Sequence, residues 1–408
     1  MKIALLHYSA PPIVGGVESV IAHHARLMTA SGHQVTIFCG RGEVFDPAIP
    51  VRVIPLLDSR NRKVLEVKAV LDTGTVIEAF STLRDRIQQN LMEVLNGFDV
   101  VIAHNVASLH KNLALTAALY ASYRLPGFPR LILWHHDLAW TTQRYRKELH
   151  HGYPWDLLRE PWPGVINVVI SETRQREMAQ LTGLQEDDIL VIPNGVDLDS
   201  FYKFEERTVD LIKRTGLIEA DPLLLAPVRL TPRKNIELAL GILAALKPHY
   251  PCAKLLVTGP EGPHNPANSA YRDKLFALRD TLQLQGSAIF IVEVTPDFLP
   301  DEVISDFYRL SDALLLPSLE EGFGIPLLEA GFSKMPVFCA DIPVLRELGG
   351  DDLDYFDPKG DPSVIARQIY SRLEAESTLR WSRKVKLHYT WQSVNNLYIE
   401  PLLNKEVE

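Results

Sequence analysis

The residues best suited to chemistry lie in one short stretch, Pro317–Ala330, where two carboxylates flank a glycine-rich turn. Glu321 directly precedes Gly322-Phe323-Gly324, and Glu329 lies eight residues after Glu321. Pro326 suits the first turn of a helix, so the turn is predicted to lead into a helix N-terminus with accessible backbone N–H groups. Such a turn binds sugar hydroxyls or phosphate oxygens, helped by the helix dipole. The alternative is a glycine-rich connection that carries two solvated carboxylates.

Two cations, Arg229 and Lys234, follow a second predicted strand. Ligands of open α/β sheets bind beyond the carboxyl ends of the strands, so these positions suit a diphosphate. Arginine grips phosphate oxygens as a fork and lysine adds a point charge. A turn with two exposed cations at a helix start is the alternative.

Further candidates follow strands in the N-terminal half. Gly15-Gly16 comes after the first strand and permits close backbone approach to an anion, although it does not fit the G-x-G-x-x-G dinucleotide fingerprint. His136, within His135-His136-Asp137, follows the strand at 131–134. The sequence therefore predicts an imidazole at the same sheet edge as the paired glycines.

No pattern of metal ligands is found. Paired histidines occur at His23-His24, His135-His136 and His150-His151, but without an HExxH or His/Cys zinc spacing. Asp197-Leu198-Asp199 and Asp352-Leu353-Asp354 match the metal-binding DxD of another transferase fold, and in an acidic chain we interpret both as chance. We predict no metal site and no cofactor.

Short apolar runs alternate with amphipathic segments, as is typical of parallel sheets flanked by helices. Strands are predicted at 2–6, 34–39, 99–103, 130–134, 167–171 and 189–192, and after Pro193-Asn194-Gly195-Val196 at 223–228, 254–258, 288–292, 313–316 and 337–339. The fold class predicted is α/β with two doubly wound domains, 1–195 and 196–388. A C-terminal helix within 389–408 is predicted to pack back on the first domain, and Pro401 to end or bend it.

Composition agrees with two soluble domains: the chain has 408 residues, of which 46% are hydrophobic and 23% charged. Forty-two basic and 51 acidic residues give a net charge of −9, which disfavours a protein that coats nucleic acid. The three cysteines form no CxxC pair, and no signal peptide or spanning segment is found. We expect a cytoplasmic protein. The aromatic and cationic stretch Trp140–Trp162 leaves weak peripheral contact with a membrane open.

Over most of its length the chain resembles the family-4 (group 1) glycosyltransferases of the GT-B fold, which transfer sugar with retention of anomeric configuration. The motifs that carry the resemblance are Gly15-Gly16, His136-Asp137, Pro193–Asp197, Arg229…Lys234 and Glu321…Glu329. The resemblance implies that the two Rossmann-like domains face each other across a cleft, with a nucleotide sugar on the second domain and the acceptor on the first. The candidate acceptor region is Trp140–Trp162, for which an ordinary solvated helix is the alternative.

The resemblance also implies roles for individual residues. Arg229 and Lys234 would hold the donor diphosphate, and Glu329 the ribose hydroxyls. Glu321 and the backbone of Gly322, Phe323 and Gly324 would orient the transferred sugar. Gly16 would approach the phosphate, and His136 would contact the sugar or the reacting centre. Glu321, His136, Arg229 and Lys234 are thus the predicted catalytic residues.

The expected reaction moves a sugar from a UDP- or GDP-sugar to a hydroxyl of a carbohydrate or glycolipid acceptor, without a metal. Retention could arise from same-face attack or from a covalent intermediate. The base pocket is expected near the loop after the strand at 288–292. Gly259–Gly262 and the following Pro263–Pro266 depart from the family's glycine-rich turn, as does Ser333-Lys334 before Met335-Pro336.

Two rival functions share this fold. A nucleotide-sugar epimerase would need further carboxylates and would not share the Arg…Lys and paired-glutamate set. A non-catalytic scaffold would not need to keep His136, Arg229, Lys234, Glu321 and Glu329 together.

Overall fold

The computed structural model describes residues 1–261, 267–295 and 298–405. The chain forms two compact domains: the first is Met1–Gly195 together with the chain from Trp391 onward, and the second is Val196–Thr390. The boundary lies two residues after the predicted 388/389, because Val196 N–H donates to the Tyr389 carbonyl at 2.7 Å and Val196 forms a parallel bridge with Thr390.

The first domain is built on a seven-stranded sheet in the order β3-β2-β1-β4-β5-β6-β7, and its strand pairs are parallel. Its strands are β1 Lys2–His7, β2 Gln34–Cys39, β3 Val51–Val53, β4 Val100–His104, β5 Arg130–His135, β6 Ile166–Val169 and β7 Ile189–Val191. Its helices up to residue 195 are α1 Gly16–Ala30, α2 Arg62–Leu71, α3 Glu78–Val94, α4 Leu113–Ser122 and α5 Glu172–Thr182. Short 3₁₀ turns lie at Pro55–Leu57, His110–Asn112, Gln143–Glu148, Trp155–Leu158 and Glu186–Asp188.

The second domain has a six-stranded parallel sheet in the order β10-β9-β8-β11-β12-β13. Its helices begin with α6 Leu198–Tyr202 and α7 Glu206–Thr215, and its strands are β8 Leu223–Ala226, β9 Lys254–Val257, β10 Ala288–Phe290, β11 Ala313–Leu316, β12 Val337–Ala340 and β13 Asp354–Phe356. The other helices are α8 Ile236–Leu246, α9 Ala267–Thr281, α10 Ile291–Val294, α11 Asp301–Leu310, α12 Ile325–Phe332, α13 Pro343–Gly349, α14 Pro362–Ala375 and α15 Ser377–His388. Two 3₁₀ turns lie at Leu217–Glu219 and Pro232–Lys234.

The C-terminal segment returns to the first domain as α16 Trp391–Val394, a π-helical turn Asn395–Ile399 and α17 Glu400–Asn404. Pro401 does not end the helix, because the wider π turn before it accommodates a ring that would clash within a regular α-helix. A Cβ on Gly195 would lie 2.6 Å from the indole Cδ2 of Trp391. The glycine of the Pro193–Asp197 motif therefore permits this docking.

Both faces of the first sheet are buried, as expected for parallel strands. Ile3 and Leu5 of β1 pack in one apolar cluster with Trp391, and the alternate residues Ala4 and Leu6 pack in the cluster on the opposite face. In the second domain, Leu223, Leu224 and Leu225 are fully buried in one continuous core. The predicted fold class, two doubly wound α/β domains of the GT-B type, is confirmed.

Two predictions of local structure were incomplete. The strand predicted at 288–292 ends at Phe290, and the chain turns into the short helix α10 because residues after the strand must leave the sheet edge. The region 44–93, which the sequence pattern did not resolve, contains β3, α2 and α3. Among the described residues, no helix is both long and apolar enough to cross a membrane.

Candidate active site

The order of the second sheet reverses between β8 and β11, which pair directly through Ala313–Leu224 and Leu314–Leu225. Strands β9 and β10 extend the sheet on one side of this point, and β12 and β13 on the other. The loops that leave the carboxyl ends of β8 and β11 therefore border the crevice at which such sheets usually bind ligands. The predicted cations follow β8, and the glycine-rich turn follows β11.

Backbone and amide contacts hold these two loops together. The Leu319 N–H donates to the Arg233 carbonyl at 2.8 Å. Asn235 adopts a left-handed conformation (φ 52°), and its Nδ2 donates to the carbonyls of Pro317 and Pro358 at 3.1 and 2.9 Å. Asn tolerates this conformation better than most residues. The loop after β8 is thus fixed against the ends of β11 and β13.

Lys234 and Glu321 form an ion pair at this crevice. Nζ of Lys234 lies 2.5 Å from Oε1 of Glu321, and the two side chains retain 11% and 8% exposure. The buried Ser318 hydroxyl donates to the same oxygen at 2.6 Å. Oε2 of Glu321 has no hydrogen-bond partner among the described residues. The carboxylate is therefore held in place with one oxygen available to a ligand.

Arg229 is an exposed cation of the same loop, and none of the described side chains pairs with its guanidinium. Its backbone is packed tightly: a Cβ on Gly259 would lie 2.2 Å from the Val228 carbonyl oxygen and 2.6 Å from the Arg229 nitrogen. Gly259 therefore allows the loop after β9 to pass close to Arg229. The remainder of the predicted departure from the family turn, 262–266, lies outside the described residues.

The N-terminus of α12 carries the Gly322-Phe323-Gly324 turn. Gly324 has φ 99°, a conformation that favours glycine, and its would-be Cβ meets Leu345 Cδ2 at 2.8 Å. Within the described chain, no acceptor is bonded to the backbone N–H groups of Gly322, Phe323 or Gly324. The helix begins at Ile325, one residue before Pro326, so these three residues directly precede a helix N-terminus.

Glu329 lies in the second turn of α12 and accepts a hydrogen bond from the Tyr308 hydroxyl of α11 at 2.5 Å. Burial, together with this bond, raises the pKa of Tyr308, so the hydroxyl stays protonated as a donor. Glu329 borders a pocket of about 290 Å³ that Asp301, Ser305 and Phe332 also line. The base pocket was predicted near the loop after β10. Residues 296 and 297 of that loop lie outside the described residues.

The first sheet also reverses its order, between β1 and β4. Gly16 is the first residue of α1, after β1, and a Cβ added to it would meet nothing within 4 Å. Next to it, the Ser9 hydroxyl donates to Glu18 at 2.5 Å. Since the protein itself leaves open space at Gly16, close approach of a ligand is sterically possible there.

His136 follows β5 and is held by residues of β4 and the loop after it. Its ring Nε2 lies 3.1 Å from Nδ1 of His104. Its backbone N–H donates to Oδ1 of Asn105 at 2.8 Å, and Asp137 N–H to the same oxygen at 3.3 Å. Asn105 itself is in the left-handed region, with φ 57°. His104 and Asn105 were not predicted as site residues, although a polar pair at the end of a predicted strand was the available signal.

Burial lowers the pKa of several histidines around His136. The pKa falls to about 3 for His136 and His24, to about 4 for His135, and well below its usual range for His104. Removal of an imidazolium from water is the main cause in each case, and neighbouring histidines add to it for His24, His104 and His136. These side chains are therefore neutral at pH 7.

The other candidate metal motifs have structural roles. Asp197 caps α6 by accepting from Ser200 N–H at 3.3 Å, and Asp354 pairs with Arg372 at 3.2 Å. His135 bonds Asn167 at 3.2 Å. No group of three or more His, Cys, Asp or Glu side chains able to hold a metal occurs within 1–261, 267–295 and 298–405.

The stretch Trp140–Trp162, the predicted acceptor region, forms short 3₁₀ turns and not a solvated helix. Trp155 and Trp162 are buried in the first-domain core. Tyr145 lies under two cations, with Lys111 Nζ 4.5 Å and Arg144 Cζ 4.7 Å from its ring centroid. Aromatic residues therefore anchor the stretch, while its cations stay near the surface.

The chain is similar to several known proteins. The mannosylglucosylglycerate synthase of Petrotoga mobilis is 25% identical over 371 residues, which cover 85% of this chain and 84% of that protein. The MMP alpha-(1->4)-mannosyltransferase of Mycolicibacterium hassiacum is 26% identical, with coverage of 86% and 84%. The solved structure of Anabaena HepE in complex with UDP and glucose matches 99% of this chain and 100% of that chain, with 18% identity and a TM-score of 0.37.

Family models match both domains in the expected order. The model described as Glycosyltransferase Family 4 matches residues 14–200, and the model described as Glycosyl transferases group 1 matches residues 209–386. Together they include each residue assigned above to a candidate site. The chain belongs to the group 1, family-4-like glycosyltransferases.

Proposed function

We propose that the protein is a retaining, metal-independent hexosyltransferase that uses a UDP- or GDP-sugar and glycosylates a hydroxyl of a carbohydrate or glycolipid acceptor. The observation that supports this most is the Lys234–Glu321 pair at the point where the second sheet reverses. The same two loops carry the Arg229 guanidinium and the N–H groups of Gly322–Gly324, for which the described residues provide no hydrogen-bond partner. This set of groups matches the chemistry of a sugar diphosphate.

Departure of the nucleoside diphosphate builds negative charge on its phosphate oxygens. In this proposal, Arg229 and Lys234 stabilise that charge, as fixed donors do for developing anions in other enzymes. Arg229 can bind two phosphate oxygens at once because its guanidinium is not engaged by the described residues. These cations take the role that a divalent metal has in other transferases, so we assign no metal to the reaction.

Glu321 and the amides of Gly322, Phe323 and Gly324 are assigned to the transferred sugar. The carboxylate keeps Oε2 available for a sugar hydroxyl, while Oε1 stays bonded to Lys234 and Ser318. A carboxylate near the ring also favours the positive character that develops at the anomeric carbon. Glu329, held by Tyr308, is assigned to the ribose hydroxyls.

In the first domain, we assign Gly16 to the approach of a donor phosphate and His136 to a contact with the sugar. The acceptor is assigned to the same domain, with Trp140–Trp162 as its candidate region. The names of two relatives, a mannosylglucosylglycerate synthase and a mannosyltransferase, make a mannosyl donor and a small glycoside acceptor the first pair to test. Peripheral membrane contact and a cytoplasmic location stay part of the proposal.

The test is a donor-by-acceptor screen in EDTA. UDP- and GDP-sugars, including GDP-mannose, are incubated with the protein and a panel of glycosides, and both the free nucleotide and the product are measured. We expect stoichiometric nucleoside diphosphate and glycoside, with the donor's anomeric configuration in the product by proton NMR. An isomerised donor without glycoside would indicate an epimerase, and loss of activity in EDTA that Mg²⁺ or Mn²⁺ restores would contradict the metal-free mechanism.

A further inference from the structure

A line of buried imidazoles leads from His136 into the interior of the first domain. His104 Nδ1 and His136 Nε2 are 3.1 Å apart, and their rings stack with centroids 5.4 Å apart. The ring of His24 lies beyond His104 at a centroid distance of 5.6 Å. His24 and His104 are fully buried, and His136 keeps 6% exposure. Only the His136 end of this line reaches the surface.

The surroundings of the line are mostly uncharged. His7 donates from Nδ1 to the His104 carbonyl at 2.7 Å and interacts electrostatically with the carboxylate of Glu18. Trp134 packs edge-on against His24 at 4.6 Å, and Trp391 does so at 5.5 Å. His23 stacks on Trp391. His135, the residue before His136, forms a hydrogen bond with Asn167.

Three nitrogens of the line are orphaned. Neither nitrogen of His24 nor Nε2 of His104 has a hydrogen-bond partner in the described chain, and all three are buried. Nδ1 of His136 also lacks a partner there but is not among the buried orphans, so it reaches solvent. A neutral imidazole carries one N–H and one lone pair. The hydrogen bond between His104 and His136 can therefore run in either of two directions.

The two directions leave different groups at the buried end. If His136 donates from Nε2 to His104, an imidazole N–H is left buried without an acceptor. If His104 donates from Nδ1 to His136, the buried end is a lone pair, and orphaned acceptors are better tolerated in protein interiors than orphaned N–H groups. The second direction, with His104 as the donor, is therefore favoured.

We propose that His104 is a positioning residue that fixes His136 as the Nδ1–H tautomer, so that His136 meets the substrate as a hydrogen-bond donor. The lone pair on Nε2 is occupied by His104, and Nδ1 already carries its proton. His136 then has no free lone pair with which to accept the acceptor's proton. The Nδ1–H group can donate a hydrogen bond to a sugar oxygen. The role of His136 is therefore to bind and orient the substrate.

The tautomer is a property of the free protein and can be measured without substrate. The 13 histidines are labelled with ¹⁵N, and two-bond correlations to the ring protons identify which nitrogen carries hydrogen. His136→Asn and His104→Asn assign the two signals, and His151→Gln is a control in the same domain. We expect protonated Nδ1 and bare Nε2 on both rings at pH 7. Protonated Nε2 on His136 overturns the proposal.

Kinetics test the positioning role, which depends on the proposed transferase function. Asn places an amide near the Nδ1 of His104 and can still donate, whereas Asp accepts only and Leu does neither. We expect His104→Asn to stay within about threefold of the wild-type transfer rate, and His104→Asp and His104→Leu to fall about tenfold or more, one hydrogen bond's worth of free energy. In His104→Asp, the His136 signal should switch to protonated Nε2. Equal rates in Asn, Asp and Leu variants that retain the wild-type circular dichroism spectrum would contradict the role.

The two failures are distinguishable. If no donor is turned over, the proposed function fails while the NMR result still decides the tautomer. If transfer occurs with His136 protonated on Nε2, the function stands and the positioning proposal is wrong.

Discussion

Replacement of Lys234 by methionine removes one half of the ion pair at the second-domain crevice and keeps most of the side-chain volume. At 2.5 Å and an effective dielectric constant near 20, the gross attraction between the charges is about 7 kcal/mol. Most of this is offset by the desolvation of two side chains that are only 11% and 8% exposed. Loss of one partner leaves Glu321 buried and unbalanced, although Ser318 still donates to it. We expect Lys234→Met to destabilise the second domain by about 3 kcal/mol.

The double variant separates stability from chemistry. In Lys234→Met/Glu321→Gln, no charge remains buried and the amide oxygen still accepts from Ser318, so stability should return to within about 1 kcal/mol of wild type. Transfer should stay at least about 100-fold below wild type in both variants, because the leaving diphosphate has lost a cation. Stability is read by hydrogen exchange in urea on the peptides that contain α8 and β11. A double variant as unstable as the single one would contradict the cost assigned to the buried charge, and near wild-type turnover in either variant would contradict the role of Lys234 in transfer.

Three further outcomes follow from the geometry. Gly259→Ala should lower the free energy of unfolding by about 2 kcal/mol or more and weaken nucleotide binding, because the new Cβ would lie 2.2 Å from the Val228 carbonyl oxygen. Gly331→Ala is the control, since a Cβ at this position of α12 meets open space. Thermal unfolding and titration calorimetry measure the two effects. Lys334→Gly should stabilise the second domain by up to about 1 kcal/mol with unchanged turnover, because Lys334 has φ 56°. The first domain should lose stability as pH falls below 6.5, the pKa of histidine in the unfolded chain. Because the pKa values of His24, His135 and His136 are lowered in the folded protein, the unfolded chain binds more protons, and the expected loss is about 1–2 kcal/mol per buried histidine down to pH 5. Urea midpoints that are flat from pH 8 to pH 5 would contradict this.

The sequence was sufficient for the sheets because parallel strands buried on both faces read as continuous apolar runs. Leu223–Leu225 and Leu314–Leu316 were recognised in this way, and the structure places them in adjacent strands. The short strand β3 and the helices α2 and α3 were not resolved, since two of the three β3 residues are exposed and interrupt the apolar signal.

Positions at strand ends were predictable, whereas contacts between distant segments were not. Lys234 and Glu321 were each expected at the site, but their ion pair depends on β8 and β11 being neighbours across 87 residues. His104 was missed for the same reason: the register of β4 and β5 sets it opposite Trp134, two residues before His136. Tyr308, which holds Glu329, comes from a helix that no motif marked.

The claim that the second domain holds a donor diphosphate with Arg229 can be tested most directly by titration calorimetry of UDP and GDP against a matched pair of variants. Arg229→Met removes the unpaired guanidinium, and Arg233→Met removes an exposed cation from the same loop. We expect Arg229→Met to raise the dissociation constant of the preferred nucleotide about tenfold or more, the loss of a charge-assisted hydrogen bond, and Arg233→Met to stay within about twofold. Equal dissociation constants for Arg229→Met and wild type would contradict it.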